Sequence, residues 1–282
     1  CDNAEGAEVG AWAARQGLHV LVEKPMAATL EGAERLVAAA REAGVRLMIN
    51  WPVVWRPQVQ AALEIVTRPE FGRIWQLSHR AGHGGPEVEC SPYFRDWILD
   101  PRRNGGGALV DLCCYGVNMA RALLGRPERV AGVTGSWYEP PLPVEDNAVV
   151  ILGYPRATAT IEGAWGQVGQ PMSGYLATIW GAGGSVTLGP GRGGRLWTTL
   201  ADQPANLEIT PPLPAPHMAN GTAHFLWALE TGSEFYPLCQ PAVCRDTQEV
   251  LDAALRSARE NIRVTLPADP ASGPCPPDSF RR

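Results

Sequence analysis

The chain has 282 residues, of which 45% are hydrophobic and 19% charged, with a formal net charge of −5. That is enough apolar residue to bury a sizeable core, and it excludes disorder as the dominant state. The mildly acidic balance argues against a general nucleic-acid or membrane-surface binder, and no run approaches the ~18 uninterrupted apolar residues of a transmembrane helix. The seven cysteines form no framework and include no Cys-x-x-Cys, which favours a reducing, cytoplasmic compartment.

The chain opens on Cys1-Asp2-Asn3-Ala4-Glu5, which already reads as the entry to a helix, with no signal peptide before it. A cut N-terminus is therefore expected. Asn3 to Arg15 has helical spacing and stops at Gly17, and His19–Val22 is a short buried strand. Thr29 caps a second helix running to about Ala43, and Val45–Asn50 is another strand. Strand–helix–strand with brief connections is the grammar of a parallel sheet, so residues 1–52 read as the second half of a doubly wound α/β unit.

The pattern then changes. A helix is expected over Pro57–Val66 and a strand over Gly72–Ala81. Residues 84–104 are loop-rich, and Gly105-Gly106-Gly107 opens a long apolar helix ending near Gly125. Strand signals follow at Val130–Ser136, Asn147–Gly153, Ala157–Ala164, Leu176–Trp180, Ser185–Leu188 and Arg195–Leu200. Turns at Tyr154-Pro155, Gly181–Gly184 and Gly189–Gly194 suit a largely antiparallel sheet. Two helices, Met218–Thr231 and Pro241–Glu260, close an α+β domain over residues 53–267. Residues 268–282 read as a flexible tail.

Two motifs can carry chemistry. Of the 24 basic residues only one is lysine, Lys24, at the exit of the first strand in His19-Val20-Leu21-Val22-Glu23-Lys24-Pro25. Ligands of open α/β sheets sit beyond the carboxyl ends of the strands, and Pro25 restricts Lys24 to extended geometry. An ammonium is compact and tunable, whereas a guanidinium practically never deprotonates. The second motif is the helix after Asn104-Gly105-Gly106-Gly107. There Asp111, Tyr115 and Asn118 recur at i, i+4 and i+7 among apolar neighbours. A carboxylate in such surroundings needs partners, from another domain, a cofactor, a substrate or a purely structural cluster.

Glu-Lys-Pro after an apolar strand, then Gly-Gly-Gly-Ala-Leu-Val-Asp at Gly105–Asp111, resembles the glucose–fructose oxidoreductase / inositol dehydrogenase (Gfo/Idh/MocA) family. The resemblance runs from Cys1 to about Pro267. It implies a Rossmann domain followed by a C-terminal α/β domain whose open sheet mediates homo-oligomerisation. It also implies hydride transfer between NAD or NADP and the CH–OH group of a sugar, polyol or related diol. By this resemblance Lys24, Asp111 and Tyr115 are catalytic, and the Lys24–Pro25 bond is often cis. Asn3, Glu23, Lys24 and Pro25 would lie on the cofactor, and Arg56 and Asn118 on the substrate. Tyr115 stands where many members have histidine, as in the branch with glucose–fructose oxidoreductase and the xylose dehydrogenases. Cys113 stands where glycine is usual and Gly6 where histidine is common. The Gly-x-Gly-x-x-Gly strand–turn–helix that binds pyrophosphate is expected upstream of Cys1.

Flat aromatic faces suit sugars, and Trp55, Trp97 and Trp165 are expected at the site from their places after a strand, in the entry loop and at a strand end. His83 opens the loop before the catalytic helix and could lie near the substrate mouth. No metal site is expected, because His79 and His83 have no completing cluster. A free tyrosine titrates near ~10, and the Lys24 ammonium would lower that value for Tyr115. Two other readings remain open: an NAD-using glycosidase of the same family, and a non-catalytic sugar-binding or assembly domain.

Overall fold

The computed structural model describes residues 1–166, 176–189, 194–201, 203–269 and 272–281, apart from the side chains of Glu87 and Glu89. The first unit comprises α1 (Asn3–Arg15), β1 (Val20–Glu23), α2 (Leu30–Glu42) and β2 (Leu47–Asn50). β1 and β2 pair in parallel, from Val20 opposite Leu47 to Glu23 opposite Asn50. Parallel neighbours need a crossover, and α2 supplies it. The local chemistry sets both helices. Asp2 accepts the Glu5 amide at one start, Thr29 accepts the Gly32 amide at the other, and Gly17 and Gly44 follow the ends at positive φ. β1 extends one residue beyond the expected run and includes Glu23, which brings Lys24 to the strand's edge.

The second unit begins with α3 (Pro57–Val66). It is built on strands β3 (Ile74–Gly82), β4 (Arg129–Gly135), β5 (Asn147–Gly153), β6 (Thr158–Ala164), β7 (Leu176–Gly181), β8 (Gly184–Leu188), β9 (Leu196–Leu200), β10 (Leu207–Ile209) and β11 (Val264–Thr265). Their order across the sheet is β10-β9-β8-β7-β3-β6-β5-β4-β11. All neighbours are antiparallel except β3 and β6, which run in parallel from Gln76 opposite Thr158 to Gly82 opposite Ala164. That exception positions the site: two strands distant in sequence end together, so His83 and Trp165 emerge at one edge. The turn expected over Gly189–Gly194 falls largely outside the described residues.

One sheet face is covered by α3, α7 (Cys114–Leu124) and α9 (Pro241–Glu260), and buries Leu77, His79, Val150, Ala159 and Ile161. Gly116 lets α7 approach closely, since a Cβ there would stand 2.6 Å from Ile161 and 2.8 Å from His79. On the opposite face Val133 is 69% exposed and Ile151 50%. Buried residues of both units form one continuous core. The stretch Pro101–Leu124 has the length and apolarity of a membrane span, but 89% of its apolar 18-residue window is buried inside the protein.

Several expectations are corrected. The segment 84–104 contains three short helices, α4 (Pro86–Glu89), α5 (Pro92–Ile98) and α6 (Pro101–Asn104), the latter two capped by the Ser91 and Asp100 side chains. The prolines that read as breaks stand at helix starts, where a missing N–H costs nothing. The long helix after the glycines begins instead with a π turn, Leu109–Cys113, before α7. In α8 (Gly221–Thr231), His224 is fully buried. The described part of the tail expected to be flexible is docked. Cys275 N–H donates to Ala122 O at 2.8 Å, Arg121 donates to Gly273 O at 2.8 Å, and Phe280 packs edge-on against Tyr236. This segment satisfies the end of α7 and buries an aromatic ring, which offsets the modest entropy of ordering a Pro-rich chain.

Candidate active site

Lys24 continues the parallel ladder, its amide donating to Asn50 O at 3.1 Å, and its bond to Pro25 is cis. Its Nζ donates to the Asp111 carbonyl at 2.9 Å and to Asp111 Oδ1 at 3.2 Å. The same ammonium stands 4.4 Å from the centroid of the Tyr115 ring. The three residues the motifs singled out are thus one cluster. Lys24 and Asp111 are only 13% and 14% exposed.

The π turn explains how Asp111 reaches Lys24. Such turns follow an i→i+5 pattern, widen the helix, and recur at functional sites. Here the Asp111 carbonyl takes the ammonium and also the Cys114 thiol at 3.2 Å. The glycines before it admit backbone, not ligand. Gly105 has φ +93°, and a Cβ there would meet Ala28 O at 2.1 Å, while one at Gly107 would meet Glu145 O at 2.0 Å. Three chain segments therefore cross at the head of this helix. Glu145 completes the crossing: its carboxylate accepts the Gly107 and Leu109 amides at 2.7 and 3.1 Å. Burial pushes the Glu145 carboxyl up, and those amides partly offset it.

Asp111 Oδ2 has two further partners, the Trp165 indole N–H at 3.1 Å and His83 Nε2 at 3.4 Å. Burial alone would raise the Asp111 pKa, but the Lys24 ammonium, His83 and the indole hold it well below the usual carboxylate range. Asp111 is an anion at any ordinary pH. Tyr115 is 7% exposed, with Trp51 edge-on to its ring at 5.7 Å. Cys113 is housed by a glycine on the sheet, since a Cβ at Gly163 would lie 2.9 Å from its Sγ.

Of the residues expected on the substrate, Trp165 is at the site. Asn118 is not: it is fully buried, and its amide donates to Leu238 O and Thr247 Oγ1 at 3.2 and 3.3 Å. The π turn is the reason, because one residue of extra winding rotates later side chains by roughly 100°. Trp55 donates to Asn50 Oδ1 at 2.7 Å and packs on His224 and Tyr236, so the indole beside Tyr115 is Trp51 instead. Trp97 lies behind Trp165 in a small apolar cluster with Leu112 and Val144. Arg56 precedes α3 and is half-buried. Of the residues expected on the cofactor, Glu23 is exposed at the β1 exit, where it accepts the Asn50 amide at 2.5 Å. Asn3 instead ties α1 to α6, donating to Asn104 Oδ1 at 2.7 Å. Sequence reasoning missed Trp51 and Glu145, whose roles arise from contacts distant along the chain.

Among the described residues no group of three His, Cys, Asp or Glu side chains could hold a metal ion. A cleft of about 800 Å³ lies at the opposite ends of β3 and β6, between Ile74, Leu124, Tyr154 and Pro274, and touches none of these site residues.

The fold and site define a dinucleotide-type α/β unit joined to a sheet domain, and comparison with known proteins agrees. The Gfo/Idh/MocA model described as "Oxidoreductase family, NAD-binding Rossmann fold" matches residues 1–51, and the model of the family's C-terminal domain matches residues 59–187. The chain belongs to the Gfo/Idh/MocA family. It is 35% identical over 112 residues to 1,5-anhydro-D-fructose reductase of Ensifer adhaerens, covering 40% of this chain and 32% of that protein. It is 32% identical over 126 residues to D-xylose 1-dehydrogenase (NADP(+)) 2 of Haloferax volcanii, covering 43% and 35%. The matched segments thus span only about a third of these relatives. Among solved structures, aldose-aldose oxidoreductase from Caulobacter crescentus complexed with glycerol superposes with TM-score 0.77 at 27% identity, over 94% of this chain and 77% of that one. Levoglucosan dehydrogenase in complex with NADH and levoglucosan shares the fold, with TM-score 0.81 at 22% identity over 95% and 79%.

Proposed function

We propose that this chain carries the reacting centre of an NAD(P)-dependent oxidoreductase acting on the CH–OH group of a sugar, polyol or related diol. The observation that carries the reading is the Lys24 ammonium held between Asp111 and the face of Tyr115. The cluster stands beyond the carboxyl ends of a parallel strand pair, where doubly wound sheets receive dinucleotides. Its members are proton donors and acceptors, which fits a ring that exchanges hydride while the substrate hydroxyl exchanges a proton. The nicotinamide, when bound, supplies the hydride chemistry. Lys24 would lie nearest to it, with Glu23 and Asn50 at the same strand ends.

Tyr115 takes the hydroxyl proton in oxidation and returns it in reduction. Lys24 favours the phenolate and orients the substrate oxygen, and Asp111 holds Lys24 by two oxygens. The relatives, an anhydrofructose reductase and a xylose dehydrogenase, support a carbohydrate substrate. The uncovered apolar face around Val133 and Ile151 supports assembly into a homo-oligomer. Buried thiols without disulfides, at Cys113, Cys114, Cys239 and Cys244, support a cytoplasmic setting.

The test is nicotinamide-linked oxidation of a panel of aldoses and polyols by the complete protein containing this chain. Turnover is expected with NAD or NADP, and Lys24→Ala and Tyr115→Phe should each lose ~10²–10⁴-fold while remaining folded. Near-normal turnover in either variant overturns the assignment.

A further inference from the structure

His83 follows β3 directly, and its ring is engaged at both nitrogens. Nδ1 accepts the Gly85 amide at 2.9 Å, and Nε2 faces Asp111 Oδ2 at 3.4 Å. A nitrogen that accepts a backbone N–H carries no proton, so the neutral ring bears its proton on Nε2, aimed at the carboxylate. The separation is long for a charge-assisted bond, as such bonds often are in unliganded sites.

The turn carrying His83 is itself held. Gly85 has φ +92°, and a Cβ there would stand 2.7 Å from the Tyr138 hydroxyl. That hydroxyl donates to Gly84 O at 2.9 Å. Tyr138 is placed in turn by Asp146, 3% exposed, whose carboxylate accepts the Trp137 and Tyr138 amides at 2.6 and 2.9 Å. The Asp146 carbonyl accepts the Trp165 amide at 2.8 Å. One buried aspartate therefore fixes the segments that deliver both His83 and Trp165. These two converge as donors on Asp111 Oδ2, leaving Oδ1 to Lys24.

We propose that His83 is a positioning residue, locked as a neutral Nε2–H donor that orients the Asp111 carboxylate under Lys24, and that it is not the acid–base group of the site. The ring has no lone pair left to accept a proton from a substrate hydroxyl, and that task stays with Tyr115. The functional meaning rests on the oxidoreductase reading, but the structural assignment can be tested without substrate or cofactor.

The first measurement is nitrogen NMR of the protein labelled with ¹⁵N-histidine. The chain has five histidines, and the His83 signals are those lost in His83→Gln. An unprotonated Nδ1 and a protonated Nε2 are expected above neutral pH. An Nδ1–H tautomer or a tautomer mixture overturns the proposal. The second measurement uses Lys24, the single lysine of this sequence: in ¹³Cε-lysine-labelled protein its resonance is the one lost in Lys24→Arg. His83→Gln keeps an N–H donor where Nε2 stood, whereas His83→Asn keeps only an acceptor where Nδ1 stood. The Lys24 resonance should be preserved in the Gln variant and shifted or broadened in the Asn variant. If both variants leave it in place, or both displace it alike, the positioning role fails. The turnover of Lys24→Ala and Tyr115→Phe decides the oxidoreductase reading separately.

Discussion

Lys24 Nζ is bound twice by one residue, at 2.9 Å by the Asp111 carbonyl and at 3.2 Å by its carboxylate. The π turn makes this double hold available, and it fixes the ammonium over Tyr115. A guanidinium is planar and longer, and cannot occupy that compact position. Lys24→Arg should therefore keep the charge yet lose turnover nearly as far as Lys24→Ala, with the melting temperature little changed. Steady-state kinetics beside a thermal melt separate the two effects. An active Lys24→Arg enzyme would show that charge alone suffices.

Asp111→Asn tests the pair from the other side. It leaves the Lys24 ammonium, 13% exposed, without its counter-charge. Stranding one member of a buried pair costs about 3–5 kcal/mol. Denaturant unfolding should show this loss, and adding Lys24→Met should recover much of it. A double variant no more stable than Asp111→Asn would mean that the ion pair is not what the fold depends on.

The glycines that open the Asp111 helix should behave unequally from neighbouring-looking ones elsewhere. A Cβ at Gly105 or Gly107 would lie 2.1 or 2.0 Å from a carbonyl oxygen, whereas nothing lies within 4 Å of one at Gly273. Gly105→Ala and Gly107→Ala should destabilise by several kcal/mol and disturb Lys24, while Gly273→Ala should be near neutral. Thermal melts of the three variants suffice. Equal melting temperatures would mean that the crossing of Ala28, Gly105–Gly107 and Glu145 is looser than it looks.

What could be read from the sequence was local. Lys24, Asp111 and Tyr115 belong to two short motifs, and the parallel β1–β2 pair follows from strand–helix–strand spacing. Trp165 was legible as a strand-end residue, although only the parallel β3–β6 register explains why it meets His83. Asn118 was misplaced because a periodicity of 3.6 cannot anticipate a π turn. Tyr138, Glu145 and Asp146 were invisible for another reason. They lie in a proline-rich connection between β4 and β5 that carries neither helical nor strand periodicity, and their partners are up to 54 residues away. Proline misled three times: at 86, 92 and 101 it begins helices where a loop was expected.

The uncovered sheet face makes a prediction about assembly. Val133 pairs with Val149 across β4 and β5, and Ile151 stands on the same face beside them. A charge placed there would have to be desolvated if that face is covered by a second copy. Val133→Glu with Ile151→Glu should lower the mass seen by light scattering to that of the protomer, without loss of secondary structure. An unchanged mass would move the interface elsewhere.

His79 should set part of the acid limb of stability. It lies on β3 against Gly116 of α7, 2% exposed, and burial lowers its pKa to about 4. In the unfolded chain a histidine titrates near ~6.5. Between those two values the unfolded chain binds the extra proton and the fold does not. Stability due to this group is therefore complete above ~6.5 and falls as the pH drops towards 4, by up to roughly 3 kcal/mol. His79→Leu removes the titrating group while filling a similar volume. Urea midpoints at pH 7 and pH 5 should lie closer together in that variant than in the parent chain. If the two proteins lose stability equally over this interval, the acid sensitivity comes from other groups and the His79 ring is protonated at no cost to the fold.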